Sequence, residues 1–367
     1  MQESLGVWLS RPIPALAQID IASGYASLGT STGLVRTENQ DKVLAARIRS
    51  SYNHGKSTYI FAVCDGMGGM QEGELAARIA MSTFVSAMVA TDDRPLQDRV
   101  CEAAHYANVS VNRRLQERGG TTLTAVAIES ETDAQIFAVH VGDSRLYRYA
   151  KSAGLHQITT DDTLAGLVKN RNAAGNEEVP GRKGLLQYVG MGEGLDPHVM
   201  NLKFGPEDDL LLLVTDGVYA IGDELSSSIL YNAERPSLGV QRLLRVANWT
   251  GGRDNASAVI CDLKALFPIR HGRDNRLSGV EAYDAYGQFD FWWPPESVHE
   301  HPERVGREQA VITPRQNQKR IPKRRHSKKV PRIQPMQEPV HQSERVFDER
   351  STSEKPKPQI RIDFTDE

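Results

Sequence analysis

The sequence predicts an α+β fold built from antiparallel sheets and packed helices, and three patterns carry that expectation. Between residues 121 and 159, the stretches TTLTAVAIES, AQIFAVHVGDS, RLYRYA and LHQIT read as successive short strands with turn chemistry between them. Ahead of them stand two long stretches with apolar residues at helical spacing. Strands and helices therefore come in runs, without the regular alternation that a parallel sheet requires.

Taken in order, YIFAVCD (59–65) reads as a buried strand ending abruptly in GMGG. A helix is expected from Glu72 to Ala90, with Leu75, Ile79, Phe84 and Met88 on its apolar face. A second is expected from Leu96 to Arg118, carrying Val100, Ala104, Ala107, Val111 and Leu115 and capped by Gly119-Gly120. Asp133, Gly142-Asp143 and Ser152 to Gly154 mark turns in the strand region. The polar, Gly-rich stretch Asp161 to Gly184 is expected to form a mobile surface flap. DDLLLLVTDG resumes the strands, a helix is expected over Leu238 to Asn248, TGGRDN turns the chain, and ASAVICDL is the final strand.

Beyond Leu266 the composition changes. The expected organisation is one folded domain over 20–266, a linker or partly ordered extension over 267–299, and a basic, Pro-rich, disordered tail over 300–367.

The 367 residues are 39% hydrophobic and 25% charged, an ordinary globular composition. The net charge of -3 gives no global field of a nucleic-acid or membrane binder, although Arg304 to Arg332 is locally basic. No apolar run is expected to span a membrane, and the N-terminal stretch lacks a basic leader segment; the cytoplasm is the expected setting. Cys64, Cys101 and Cys261 are far apart, show no metal-knuckle spacing, and are expected to be buried, reduced thiols.

Aspartates recur at the ends of expected strands. Asp65 follows FAVC, Asp143 follows FAVHVG, Asp216 follows LLLLVT, Asp254 precedes the last strand, and Asp41 follows RTENQ. A single Asp-Gly is usually a turn; Asp143 could pair with Arg145, and Asp254 could cap a turn. Several acids at strand ends, with glycines around them, point further. A carboxylate beside an apolar strand is costly unless paired or bound to a cation. Oxygen-only ligation suits Mg²⁺ or Mn²⁺, which keep waters and need few protein carboxylates. Two such ions can clamp a phosphate and activate water.

In order along the chain stand VRTENQD (35–41), VCDGMGG (63–69), GGTTLTAV (119–126), VGDSRLYRY (141–149), TTDDT (159–163), VTDGV (214–218) and GGRDNASAV (251–259). With these seven motifs the chain resembles the metal-dependent protein phosphatases of the protein phosphatase 2C type, especially bacterial members. The resemblance implies a four-layer αββα sandwich and a serine/threonine phosphatase using two Mn²⁺ or Mg²⁺ ions, with a third held more weakly. It implies that Asp65 bridges the two metals, with the Gly66 carbonyl completing one site and Asp216 and Asp254 the other. Asp41 is then a ligand, directly or through water, and Asp143 shares the third ion with Asp216. Arg36 binds the substrate phosphate; its planar fork matches phosphate oxygens, although a single Arg is often only a surface ion pair. Gly68 and Gly69 form a tight turn, and Thr121 and Thr122 are structural. The implied reaction is direct attack by metal-bridging hydroxide, with no covalent enzyme intermediate.

Two positions depart from many eukaryotic members: Gln40 replaces an acid, and Met67 replaces a histidine that protonates the leaving group there. His140 and His156 are expected to be structural. The departures motivate an alternative, a pseudophosphatase that captures phosphoproteins without turnover. The expected partners are phosphorylated substrates of a serine/threonine kinase. The tail offers a docking segment for a protein partner, and neither a membrane nor a nucleic acid is an expected partner.

Overall fold

Alternation within single strands sets the layering. In the strand Lys42–Arg49, Val43 and Ala45 belong to one buried cluster, while Leu44, Ala46 and Ile48 belong to another. Successive side chains of an extended chain point to opposite faces, so this sheet is covered on both sides. The structure, a computed structural model, describes residues 1–21, 24–49, 57–67, 72–129, 134–166, 184–204, 210–267, 278–293 and 311–313.

Among these residues one sheet has eight strands. Its order is β11 (His198–Asn201), β8 (Gln135–Val141), β7 (Leu123–Glu129), β4 (Ser57–Cys64), β3 (Lys42–Arg49), β14 (Ser278–Tyr283), β15 (Gln288–Trp293) and β16 (Val311–Thr313). A second sheet has six, in the order β1 (Leu16–Asp20), β2 (Ala26–Ser31), β13 (Ala256–Asp262), β12 (Leu210–Val214), β9 (Arg145–Ala150) and β10 (Gly154–Gln157). β5 (Gly66–Met67) and β6 (Gly120–Thr121) form a separate short pair. The pairings in both large sheets are antiparallel.

Three buried clusters separate four layers. Helices α1 (Gln2–Leu9), α2 (Glu72–Ala90) and α3 (Leu96–Leu115) cover the outer face of the eight-stranded sheet. Leu28, Phe61, Val63, Leu146, Leu213 and Val259 fill the space between the sheets. The helices Asp223–Tyr231 and Pro236–Trp249 cover the six-stranded sheet through Leu230, Val240, Leu243 and Leu244. The expected α+β sandwich of two antiparallel sheets flanked by helices is the observed fold.

Several expectations are corrected. The second helix ends at Leu115, where Gln116 turns left-handed at φ 51° and its amide bonds the Asn112 carbonyl. Gly120, expected in a helix cap, instead pairs with Met67. The sandwich also extends beyond 20–266 in both directions. Leu5, Trp8 and Leu9 of α1 are buried in the outer cluster. β14 pairs with β3, which would otherwise be an open edge, and Val280, Ala282, Phe289 and Phe291 join the same cluster. The 267–299 segment therefore contributes two core strands, and Val311–Thr313 adds a third within the segment expected to be disordered. The rest of the 300–367 tail, residues 167–183 of the flap, Asp133, Gly68 and Gly69 lie outside the described residues.

The 19-residue α2 does reach the length and apolarity of a membrane span, with mean hydropathy 1.2, against the expectation. Most of it is buried in the fold, where Ala76, Ala80, Phe84 and Met88 pack on the sheet. Cys64 and Cys261 are buried as expected, whereas Cys101 is only half-buried.

Candidate metal centre

Strand register brings the acids to one end of the sandwich. In the β3–β4 pair Lys42 stands opposite Cys64, so Asp41 and Asp65 leave the same end. Leu123 stands opposite Val141, which sends Thr122 and Gly142-Asp143 beyond that end. In the other sheet Val214 stands opposite Ala258, so Asp216 emerges beside the start of β13, next to Asp254. A cavity of about 460 Å³ opens here, lined by Arg36, Thr37, Glu38, Gln40, Asp65, Gly66, Met67, Thr122, Asp143, Leu185, Asp216, Asp254 and Asn255.

Asp65 is the best-anchored acid. Its amide donates to Thr122 Oγ1 at 2.9 Å, and its carbonyl accepts from the Thr122 amide and from Thr121 Oγ1, both at 2.9 Å. Thr122 Oγ1 also bonds Ser144 Oγ at 2.6 Å. The two threonines are structural as expected, and the structure they support is the backbone of Asp65. The Asp65 and Asp216 carboxyls line the same cavity, and buried carboxyls placed together raise one another unless a proton or a cation offsets their charge. Burial, then the charges of Asp41, Asp216, Asp143 and Asp254, push the Asp65 carboxyl well above its ordinary range.

Asp41 sits behind the cavity at 1% exposure. One carboxylate oxygen accepts from Ser257 Oγ at 2.6 Å and Thr215 Oγ1 at 2.8 Å, and the other is buried with no hydrogen-bond partner among the described residues. Burial raises this carboxyl, although the two hydroxyls oppose the shift. Asp216 likewise has a buried, unpartnered Oδ1. Burial and the Asp254 charge raise it.

Asp143 does not pair with Arg145, whose guanidinium instead grips Asp161 through contacts of 2.7–3.2 Å. Burial first, then the charges of Asp216 and Asp161, push the Asp143 carboxyl up to about 6. Its position is fixed through Gly142, whose amide donates to Asp162 Oδ2 at 2.8 Å and whose carbonyl accepts from the Asp162 amide at 2.7 Å. Gly142 has φ +104°, and a Cβ there would lie 2.7 Å from Thr122 Cγ2. At Gly66 a Cβ would lie 2.2 Å from the Gly73 carbonyl oxygen, so backbone approach from α2 requires glycine there too.

Arg36 reaches Asp254, with Nη2 2.7 Å from Oδ2. Asp254 Oδ1 accepts from the Asn255 amide at 2.9 Å, so the turn-capping role also holds. The loop carrying Arg36 is held by Asn255, which the sequence reading did not single out. Its Oδ1 accepts from the Gln40 amide at 2.8 Å, and its Nδ2 donates to the carbonyls of Thr32 and Glu38 at 3.0 and 2.9 Å. Thr215 and Ser257, also unremarked, fix Asp41. All three lie inside motifs noted for their acids; Thr215 adjoins Asp216 and Asn255 adjoins Asp254 in sequence, and that adjacency was the signal available, whereas Ser257 had none.

Among the described residues, no histidine lines the cavity. His140 is buried, bonded to Thr124 Oγ1 at 2.9 Å and the Thr160 carbonyl at 3.1 Å, and burial pulls its pKa down to about 4. His156 is exposed on β10. His140 is structural in position, as expected; His156 lies on the surface away from the cavity lining. His198, a further histidine, pairs with Asp162 at 2.7 Å and extends the brace behind Gly142. Met67 lines the cavity and offers no proton.

Among the described residues, five carboxylates (Glu38, Asp65, Asp143, Asp216, Asp254) and one guanidinium line the cavity, a balance that repels a phosphate unless cations enter with it. The donors are oxygens, and Asp41 and Asp216 each present a buried, unpartnered carboxylate oxygen. Among the described residues no three acids, histidines or cysteines close into a coordination shell of their own. Oxygen donors with unpartnered buried atoms suit Mg²⁺ and Mn²⁺, which take oxygen ligands and keep part of their water. The residues present fit such ions.

The family model described as Protein phosphatase 2C matches residues 29–235. The serine/threonine protein phosphatase PstP of Mycobacterium tuberculosis is 27% identical over 261 residues, covering 68% of this chain and 46% of that protein. The chain thus matches about half the length of this curated relative. Among solved structures, the PPM Ser-Thr phosphatase MsPP from Mycobacterium smegmatis, in complex with cacodylate, is 33% identical with a TM-score of 0.55. That match covers 67% of this chain and 100% of the other. The catalytic domain of PstP in complex with two manganese ions is 26% identical with a TM-score of 0.51, covering 67% of this chain and 98% of that one.

Proposed function

Because this chain belongs to the protein phosphatase 2C family, we propose that it hydrolyses phosphoserine and phosphothreonine in proteins at the cavity between Arg36, Asp65 and Asp216. The observation that carries this reading is the convergence of Asp65, Asp143, Asp216 and Asp254 on one cavity, where burial and the neighbouring charges push the Asp65 carboxyl up. Such an arrangement is costly by itself and is relieved by divalent cations. The manganese-bound PstP domain supports the same assignment.

Asp65, Asp216 and Asp254, with the Gly66 carbonyl, would hold two Mn²⁺ or Mg²⁺ ions; Asp41 would contribute its free oxygen directly or through water, and Asp143 would help hold a third. When bound, the ions offset phosphate charge and make hydroxide available near neutral pH. Thr121 and Thr122 keep the Asp65 backbone fixed, so little reorganisation is needed as charge develops. Arg36, on the rim, turns its guanidinium between Asp254 and a substrate phosphate. Met67 supplies no proton, so a water or one of the raised carboxyls protonates the departing alkoxide.

The proposal includes a cytoplasmic setting, substrates phosphorylated by a serine/threonine kinase, and the basic tail as a docking segment for a protein partner. Asp65→Asn and Asp216→Asn are expected to abolish Mn²⁺-dependent hydrolysis of p-nitrophenyl phosphate while leaving circular dichroism and thermal unfolding cooperative. Near-wild-type turnover in both variants would remove the site assignment.

A further inference from the structure

Among the described residues, the three most exposed large apolar side chains are Trp249 (84%), Leu34 (70%) and Val35 (65%). Residues separated by more than 200 positions share one corner of the fold. The Gly252 carbonyl accepts from the amides of both Leu34 and Val35, at 2.7 and 3.2 Å. The Gly252 amide bonds back to Ala247 near the end of the helix Pro236–Trp249. Asn248 bonds Ser31 Oγ at 3.0 Å. Arg36 and Thr37, the next residues after Val35, line the catalytic cavity. Leu34 and Val35 are therefore joined through one peptide bond to the cavity wall at Arg36.

Its surroundings are cationic. Arg245, one helical turn before Trp249, and Arg253 are both exposed. Scattered surface apolar residues need no explanation, but a group beside a site that must admit a polypeptide has one. Trp and Arg are also the residue types that anchor recognition surfaces.

We propose that this corner, made by Leu34, Val35 and Trp249, binds the substrate polypeptide on one side of its phosphorylated residue and selects a bulky apolar side chain close to it. This rests on the phosphatase reading and names its substrate class: phosphopeptides in extended form with an apolar flank. An extended chain advances about 3.3 Å per residue, so a side chain a few residues from the phosphate reaches the corner while the phosphate enters the cavity. Arg245 and Arg253 then favour acidic residues in the same segment.

The experiment compares the wild-type chain, Trp249→Ser, and the triple variant Leu34→Ser/Val35→Ser/Trp249→Ser with Mn²⁺. Substrates are p-nitrophenyl phosphate and two phosphothreonine peptides differing only in whether Leu and Phe, or Ser, flank the phosphorylated residue. Wild type is expected to prefer the apolar peptide. The triple variant is expected to lose about ten- to a hundredfold in kcat/KM on that peptide, mostly through KM, as loss of interface anchors does. Trp249→Ser falls between, and p-nitrophenyl phosphate turnover stays unchanged, which also reports an intact fold. Equal kcat/KM for the two peptides in wild type, or equal losses on both in the triple variant, overturns the proposal. If wild type hydrolyses none of the substrates, the phosphatase reading fails instead. Fluorescence anisotropy of the same peptides then decides the surface: preferential binding lost in the triple variant supports it, and equal binding overturns it.

Discussion

Asn255→Ala is the perturbation with the most to lose for a single side chain outside the acids. Asn255 is 5% exposed and makes three hydrogen bonds to backbone groups of the loop 32–40. At about 1 kcal/mol net for each, their removal costs about 3 kcal/mol, and more if the Gln40 amide and the two carbonyls stay buried without partners. The same loop carries Arg36, so its release also displaces the guanidinium from the cavity. A shift of about 1 Å in a positioning group can cost about a hundredfold in rate, and the loss here falls on substrate binding. Urea unfolding with chelator present measures the first quantity, and kcat and KM for p-nitrophenyl phosphate across a Mn²⁺ titration measure the second. Asn255→Asp keeps the acceptor for Gln40, loses both donors and adds a buried charge beside Asp254; it should be at least as damaging. A loss below about 1 kcal/mol, within the range of a single hydrogen bond, together with an unchanged KM, would refute the idea that Asn255 holds the loop.

Gly142→Ala forces a residue with a side chain to φ +104° and into Thr122; backbone strain and overpacking together are expected to cost about 2–5 kcal/mol in urea unfolding, with weaker Mn²⁺ binding by calorimetry because Asp143 moves with it. Phe289→Ala removes a fully buried ring packed 5.6 Å from Trp8 and should destabilise the sandwich by about 3–5 kcal/mol; an unchanged unfolding midpoint would mean that β14 and β15 are dispensable. Manganese affinity should fall as pH drops through about 6, where the raised Asp143 carboxyl takes up its proton, and binding at pH 6 should release protons in calorimetry run in buffers of different ionisation enthalpy. The sign for stability is the reverse. A folded carboxyl raised from 3.8 to about 6 retains a proton that the unfolded chain loses, so its contribution is present at low pH and is lost as pH rises through that window.

Much of the site was legible because its acids sit where the strand pattern stops. Asp65 after FAVC and Asp216 after LLLLVT could be placed at strand ends without a structure, and β-sheet order then had only to bring those ends together. Other features left weaker traces. The alternation in QFDFWW is masked by its own tryptophans and the prolines that follow, so a core hairpin with SGVEAY reads only as a linker or partly ordered extension. The first helix is eight residues long, too short for periodicity to declare it. Cys101 lies in a helix whose apolar face passes beside it, and sequence spacing did not show that it is half-exposed.

By itself the sequence determined which residue types stand at which strand ends, since periodicity and turn chemistry are local consequences of covalent order. Only the tertiary structure decided which groups meet. Asp41 is held by hydroxyls 174 and 216 residues away, and Leu34 and Val35 meet the turn that follows Trp249 because a single carbonyl at Gly252 binds both their amides. Such contacts are fixed by sheet register and by the packing of two sheets. A shift of one residue in register would turn every side chain of a strand to the opposite face, and no local pattern encodes which of these partners a carboxylate finds.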